Sequence, residues 1–380
     1  MNRSINNSSP GGESRLKTTE LRIGLVGPMP PPSGGMANQT EQLARLLRQE
    51  GVNVDLIQVN PPYYPTWAGK IKGVRALFRL LPYLYRLWRA ANTVQLFHVM
   101  ANSGWSWYLF ATPAIWIARI KKKPVVINYR GGEADTFFEK SFFWVKPSLA
   151  MADAIVVPSG FLEAVFRKRG IATLIVPNII NLDRFSKQAN RRQGIEKTPH
   201  VILTRNLEPI YDNATAIRAF DLVRKTIPEA RLTIAGSGPE RTALGRLVEE
   251  LGIQDAVTFA GRIDNEAIAE LYHRADIMVN PSLVDNMPIS ILEALACGVP
   301  VVSTDVGGIP HLVTHEKTAL LVPPQDPVAM SNAMLSLLND RDKAKQIAEA
   351  GMLTVQQYTW PNVRNRLLSV YEYILAKSMR

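Results

Sequence analysis

Along the 380-residue chain, short apolar runs alternate with longer amphipathic stretches. Residues 21–27 (LRIGLVG) form an apolar run closed by glycine, a Pro/Gly-rich loop follows, and residues 39–50 repeat apolar positions at helical spacing. This order predicts strand, loop, helix. Further strand-like runs begin at Val52 (VNVDLIQV), Val94 (VQLFHVM), Pro124 (PVVINY), Ala154 (AIVVPS) and Thr173 (TLIVPN), each trailed by a loop or a helix-permitting segment. Periodicity lapses over residues 178–200, where Asn, Lys, Arg and Gln collect. A second series starts at Val201 (VILT) and continues with RLTIAG, AVTFAG, DIMVNPS, PVVST and ALLVPP, with helical stretches at 241–251 and 266–274. Residues 328–380 read as helical. Tyr358-Thr359-Trp360-Pro361 interrupts them, because proline stops one helix and suits the start of another. Strands alternating with helices in this way predict α/β architecture with parallel sheets.

The length exceeds one ordinary core and argues for two domains. The lapse near 178–200 sets their boundary: a first doubly wound domain over 21–185 and a second over 195–358. Residues 1–20, rich in Asn, Ser, Gly and Thr, read as a disordered tail without the apolar run of a secretory signal. The run 94–120 is apolar enough to raise a membrane span, but His98, Asn102, Ser103 and Pro113 interrupt it. A buried strand followed by a core helix is the expectation. The single cysteine, Cys297, excludes an intrachain disulfide and a cysteine metal cluster, which points to the cytoplasm.

Charge divides unevenly. Of the net +11, residues 1–180 hold 22 Lys/Arg against 10 Asp/Glu, whereas residues 181–380 hold 22 against 23. An anionic partner for the first half, phospholipid or nucleic acid, follows from that asymmetry. Residues 67–90 concentrate it: Lys70, Lys72, Arg75, Arg79, Arg86 and Arg89 sit among Trp, Phe, Leu and Tyr without one acid. Such a segment suits an anionic lipid surface, or a core-packing helix with a solvated basic face. No nucleic-acid-binding module accompanies the charge, so nucleic acid is not expected.

Ligands of open parallel sheets sit beyond the carboxyl ends of strands, which makes the following loops the candidate chemistry. Gly34-Gly35 lies after the first strand, where missing Cβ atoms let backbone approach an anion. Gly236-Ser237-Gly238 holds the matching place in the second half and lacks the dinucleotide spacing of a dehydrogenase. The stretch 280–300 (NPSLVDNMPISILEALACGVP) is the richest. It predicts a strand end, a loop at Asp285-Asn286-Met287, Pro288 at the first helical position, and a helix over 289–296 stopped by Gly298. Free N–H groups of Asn286, Met287 and Ile289 are expected at the helix start, and Asp285 and Glu293 are expected to line one crevice. Carboxylates accept hydrogen bonds from sugar hydroxyls, while N–H groups and the helix dipole favour phosphate. Asp285 as a plain helix cap and Glu293 as a surface residue is the competing reading.

The stretch 285–302 resembles the donor-site motif of the retaining glycosyltransferases of family four. The resemblance extends in element order over about residues 21–375 and is most specific over 231–326. It implies the GT-B fold, two facing Rossmann-like domains with the C-terminal helix at about 360–380 crossing back to the first. The family motif has two glutamates eight positions apart, the first on the donor hexose and the second on the ribose hydroxyls. Asp285 replaces the first and Glu293 matches the second. Backbone contacts of the motif carry over to Asn286, Met287 and Pro288, base contacts to Gly261-Arg262-Ile263, and the first-domain glycine loop to Gly34-Gly35. Arg205 matches a diphosphate-binding Arg, but the Lys that follows it in the family falls near Ile210-Tyr211, where no Lys stands. Arg130, in Asn128-Tyr129-Arg130-Gly131-Gly132, takes the place of a first-domain His and is a candidate for the absent cation. His98 matches a residue near the family's acceptor cleft, while a lone His at the end of an apolar strand is more often structural. The resemblance implies transfer of a hexose-type sugar, with retention, from a UDP- or GDP-sugar to a saccharide or lipid-linked saccharide in exopolysaccharide or lipopolysaccharide synthesis at the inner membrane face. No obligatory cofactor or metal is expected. A binding or scaffold protein of the same fold without turnover is the alternative.

Overall fold

The computed structural model describes residues 18–31, 34–64, 67, 71, 75–187, 198–263 and 267–378. Each strand series builds one six-stranded sheet, and every neighbouring pair runs parallel. The first contains β1 (Arg22–Gly27), β2 (Asn53–Gln58), β3 (Leu96–Ala101), β4 (Val125–Tyr129), β5 (Ala154–Val157) and β6 (Leu174–Ile175), in the order β2-β1-β3-β4-β5-β6. The second contains β7 (His200–Leu203), β8 (Arg231–Ala235), β9 (Val257–Gly261), β10 (Ile277–Asn280), β11 (Val301–Thr304) and β12 (Leu320–Val322), in the order β12-β11-β10-β7-β8-β9. Central strands β3, β4, β10 and β11 are buried along their whole length. Helices cover both faces of such strands, so their sequences are apolar runs rather than alternations.

Helices α1 (Gly35–Gln49), α2 (Arg75–Ala90), α3 (Thr112–Ile120), α4 (Ala134–Ala150) and α5 (Gly160–Arg167) belong to the first sheet. Helices α6 (Asn213–Thr226), α7 (Arg241–Glu250), α8 (Ala267–Arg274), α9 (Ile289–Ala296), α10 (Pro327–Asn339) and α11 (Arg341–Val355) cover the second. Tyr83, Trp107, Phe138 and Phe166 fill the core between the first sheet and α2 to α5. Its other face packs Ile23 and Leu25 against Leu43 and Leu47 of α1 and against Leu367 and Tyr371 of α12 (Trp360–Ser378). The C-terminal helix therefore lies on the first sheet. Its entry is fastened by Ile180 N–H to the Tyr358 carbonyl (3.0 Å), Trp360 Nε1 to Glu50 (2.9 Å) and the Arg364–Glu50 ion pair (3.0 Å).

Two local expectations change, and a third, a buried strand followed by a core helix over 94–120, holds with a wide turn added between them. Helix α1 begins at Gly35 rather than near 39, because extended Gly34 (φ −171°) stands at its N-cap and draws Gly35 and Met36 into the first turn. Thr18–Glu20 is a 3₁₀ turn inside the segment expected to be a tail, and residues 1–17 lie outside the described residues. The run 94–120 divides into β3, a wide turn at Trp107–Ala111 and α3. Among the described residues no helix is long and apolar enough to cross a membrane.

The strand order positions the site. It reverses between β7 and β10 in the second sheet, where Val201 stands opposite Ile277, and between β1 and β3 in the first. Loops leaving two such strands turn to opposite faces and open a crevice at their carboxyl ends.

Candidate active site

A cavity of about 730 Å³ occupies the space between the carboxyl ends of the two sheets. From the first sheet its wall takes Gly34, Gly35, the loop 102–104, Arg130 and Asn178; from the second it takes Arg205, Gly236, Ser237, Arg262, Ile263 and the whole run 284–290 with Glu293. Residues far apart in sequence thus share one chamber.

Arg205 leaves β7 and Asp285 leaves the β10 loop, and the reversal of strand order brings them together as an ion pair. Their side chains are only 11% and 12% exposed. Ser282 and the Asn286 N–H (2.8 Å) also bond the Asp285 carboxylate. Burial raises the Asp285 carboxyl above its ordinary range, and the Arg205 charge opposes the rise. Where the related motif carries Lys, Tyr211 lays its ring under the Arg205 guanidinium, 4.0 Å from its centre. Arg205 Nε is buried without a partner. The position loses a cation and gains a support for the remaining one.

Glu293 sits one turn inside α9 and is reached from the same cavity. Tyr272, fully buried, donates to it at 2.9 Å. Burial lifts its carboxyl from 4.5 to about 7, against the Tyr272 hydrogen bond and the charges of Arg184 and Arg205. Arg130 donates through Nε to Asn128 Oδ1 (3.1 Å) and through Nη1 to Asn178 Oδ1. Burial lowers its pKa to about 10, which leaves it cationic at neutral pH. Asn178 in turn donates to the Met287 carbonyl (2.8 Å), and Ser159, which caps α5, donates to Asn286 Oδ1. These bonds join the first sheet to the loop before α9.

Several sequence expectations need correction. His98 does not reach the cleft: it is fully buried, with Nδ1 2.7 Å from Tyr371 Oη and Nε2 3.0 Å from Asn128 Nδ2. Burial and the nearby Arg130 charge press its pKa down to about 3. The Asn286 N–H is not free, since it bonds the Asp285 carboxylate. Pro288 is the N-cap of α9 rather than its first helical residue. Gly238 lies outside the cavity wall and serves packing instead: a Cβ there would overlap the Leu207 backbone, as one at Gly236 would overlap that of Arg205. Of the basic segment, Lys70 and Lys72 lie outside the described residues, as does the side chain of Arg75. Arg79 stacks on Tyr63 at 4.1 Å, and Arg86 and Arg89 are exposed.

Tyr211 and Gly132, named above only as places in matched motifs, line the cavity; Asn178, which also lines it, and Gly307-Gly308, which presses from behind on the Asp285 and Asn286 carbonyls, were not anticipated. The glycine pair carried the same signal as Gly34-Gly35, a pair after an apolar strand. Asn178 ends the TLIVPN run, a polar residue beyond a strand's carboxyl end.

The Glycosyl transferases group 1 family matches residues 186–353, and Glycosyltransferase Family 4 matches residues 33–184. A GDP-mannose-dependent alpha-(1-6)-phosphatidylinositol monomannoside mannosyltransferase of Mycobacterium tuberculosis is 30% identical over 206 residues, 50% of this chain and 54% of that protein. The alignment therefore spans about half the length of that relative. A phosphatidyl-myo-inositol mannosyltransferase of Mycobacterium leprae is 24% identical over 382 residues, 93% of this chain and 97% of that protein. In fold, sucrose-phosphate synthase from Thermosynechococcus elongatus superposes with a TM-score of 0.75 at 23% identity, covering 94% of this chain and 100% of that one.

Proposed function

We propose, for a chain that belongs to the group 1 glycosyltransferases of family four and has their GT-B fold, that it moves a hexose-type sugar, with retention, from a UDP- or GDP-sugar to a saccharide or lipid-linked saccharide. The carrying observation is the convergence of Arg205, Arg130, the start of α9, Asp285 and Glu293 on one cavity. A departing nucleoside diphosphate needs its growing negative charge neutralised and its anomeric carbon held beside the acceptor. Arg205 takes the diphosphate, the helix start adds its dipole, and Arg130 supplies the second cation from across the cleft. The ionised Glu293 accepts the ribose hydroxyls, the glycine loops and Arg262-Ile263 border the rest of the nucleotide, and Asp285 meets the hexose. Attack comes from the face the diphosphate leaves, with a phosphate oxygen taking the acceptor proton. No protein nucleophile and no obligatory metal take part.

The pH dependence of donor binding tests this reading. A carboxyl raised to about 7 is mostly protonated at pH 6 and mostly ionised at pH 8, and the ionised form, an acceptor at both oxygens, binds two hydroxyl donors more strongly. Affinity for UDP or GDP, followed as a melting-temperature shift, is expected to strengthen across that interval. Glu293→Gln is expected to bind weakly and without the pH step. Linkage runs the other way for the empty protein: the raised carboxyl contributes stability below its unfolded value of 4.5, and this is lost as pH rises through 7. Equal nucleotide affinity at pH 6 and 8 in the wild type would remove Glu293 from the site. The alternative, a binding protein without turnover, draws support from the Arg205–Asp285 pair and the missing Lys. Binding without release of nucleoside diphosphate from any UDP- or GDP-sugar would favour it.

A membrane-bound acceptor at the cytoplasmic face, in exopolysaccharide or lipopolysaccharide assembly, fits the surface chemistry. Exposed Tyr85 and Trp88 alternate with Arg86 and Arg89 on α2, and Lys121 stacks on Trp88 at 3.9 Å. Beside the cavity mouth, Trp105 follows Gly104, and Phe143 and Trp144 follow Lys140 and Ser141, each 71% exposed or more. Indole rings and cations together suit an anionic bilayer interface. Each arginine near such a surface contributes about 1 kcal/mol, so Arg86→Ala with Arg89→Ala is expected to weaken binding to phosphatidylglycerol vesicles about thirtyfold at low salt. Unchanged co-sedimentation would sink the membrane reading.

A further inference from the structure

We propose that His98, Asn128 and Tyr371 form a positioning relay that sets the direction of the Arg130 guanidinium in the cleft. The inference rests on the transfer reading of the cavity only in so far as Arg130 faces the donor diphosphate.

Hydrogen-bond direction carries it. A guanidinium can only donate, so Asn128 must turn Oδ1 toward Arg130 Nε (3.1 Å). Its Nδ2 then points at His98 Nε2, 3.0 Å away, and has to donate there. Nε2 accepts only when the ring proton is on Nδ1, and that proton meets Tyr371 Oη at 2.7 Å. Every direction is thus fixed from the cleft inward to α12. On the other side the same logic turns Asn178 Oδ1 to Arg130 Nη1 and leaves Asn178 Nδ2 for the Met287 carbonyl, 2.8 Å away in the loop before α9. His98, Asn128 and Tyr371 are each no more than 1% exposed. Water therefore cannot substitute for a missing partner, and an orphaned Asn128 amide would rotate to find one. Arg130 is held at two atoms at once, Nε through Asn128 by the core of the first sheet and Nη1 through Asn178 by the donor loop of the second.

A double-mutant cycle on UDP and GDP affinity, measured by calorimetry, tests the relay. Arg130→Ala is expected to weaken binding of the nucleotide that the wild type prefers by about tenfold, the loss of one charge-assisted contact. His98→Leu is expected to weaken it about fivefold in the wild-type background and less than twofold in the Arg130→Ala background. His98→Gln, whose Oε1 can accept from Asn128 Nδ2, is expected to regain affinity within twofold. Should His98→Leu fail to fold, Tyr371→Phe, which removes only the acceptor of the Nδ1 proton, replaces it in the same cycle. Additive losses, or a glutamine variant as weak as the leucine variant, overturn the relay. Full affinity in Arg130→Ala overturns it as well. Release of nucleoside diphosphate from UDP-glucose and GDP-mannose by the wild type is measured alongside, so that a failure of the transfer reading is seen separately.

Discussion

Arg205→Ala is expected to lower sugar transfer by about 10²–10³-fold, the usual cost of removing one preorganised donor from a developing oxyanion. Arg262 is the other second-domain cation named in the cavity wall, and it borders the nucleotide rather than pairing with Asp285. No Lys stands at Ile210-Tyr211, and Tyr211 only holds the guanidinium from below at 4.0 Å. The same substitution strands Asp285, whose side chain is 12% exposed and raised in pKa by burial. Leaving one member of a buried ion pair alone costs about 3–5 kcal/mol, so the melting temperature is also expected to fall. The two effects can be separated. Arg205→Ala combined with Asp285→Asn removes the stranded charge and is expected to regain most of the thermal stability with none of the turnover. Arg205→Lys keeps a charge but loses the flat stack on Tyr211 and is expected to fall between. Turnover within threefold of wild type in Arg205→Ala would exclude the residue from the diphosphate site.

The second large effect comes from a residue that touches no ligand. Gly308 follows β11, and a Cβ there would overlap the Asn286 carbonyl oxygen and lie 2.6 Å from the carbonyl carbon. Its φ of −89° is open to any residue, so the demand is for space and not for backbone freedom. The Gly308 N–H also bonds the Asp285 carbonyl at 2.8 Å. Gly308→Ala must push the loop 285–287 toward the cavity or break that bond. Nucleotide affinity is expected to drop at least tenfold, with a stability loss of about 1–3 kcal/mol as for other overpacked sites. Gly34→Ala is the matched control. Nothing lies within 4 Å of its added Cβ, and the protein without nucleotide is expected to keep its stability. Wild-type nucleotide affinity in Gly308→Ala would show that the loop yields without cost.

The central strands were legible because burial on both faces makes them apolar runs, and the site loops because they follow such runs. The helix over 289–296 was legible, since the preceding proline and the stopping Gly298 are local signals, but the bond from the Asn286 N–H to Asp285 and the place of Pro288 at the N-cap were not. For His98 a structural place was the commoner expectation, but its partners were not legible. A histidine at the end of an apolar strand run looks the same whether it faces a ligand or a second helix, and only the return of α12 puts Tyr371 against it. Gly238 misled for a similar reason, as a glycine needed for backbone packing cannot be told by spacing from one that cradles phosphate.

By itself the sequence determined two parallel α/β halves, the loops at their carboxyl ends and the types of group those loops could offer. Only the tertiary structure decided which groups meet: Arg205 with Asp285 across 80 residues, Asn178 with Met287 across 109, and Arg130 between the first sheet and the donor loop. The physical reason is range. Periodicity and turn chemistry act over a few residues, whereas a partner is chosen by strand order and by how two sheets face each other, which no local pattern encodes.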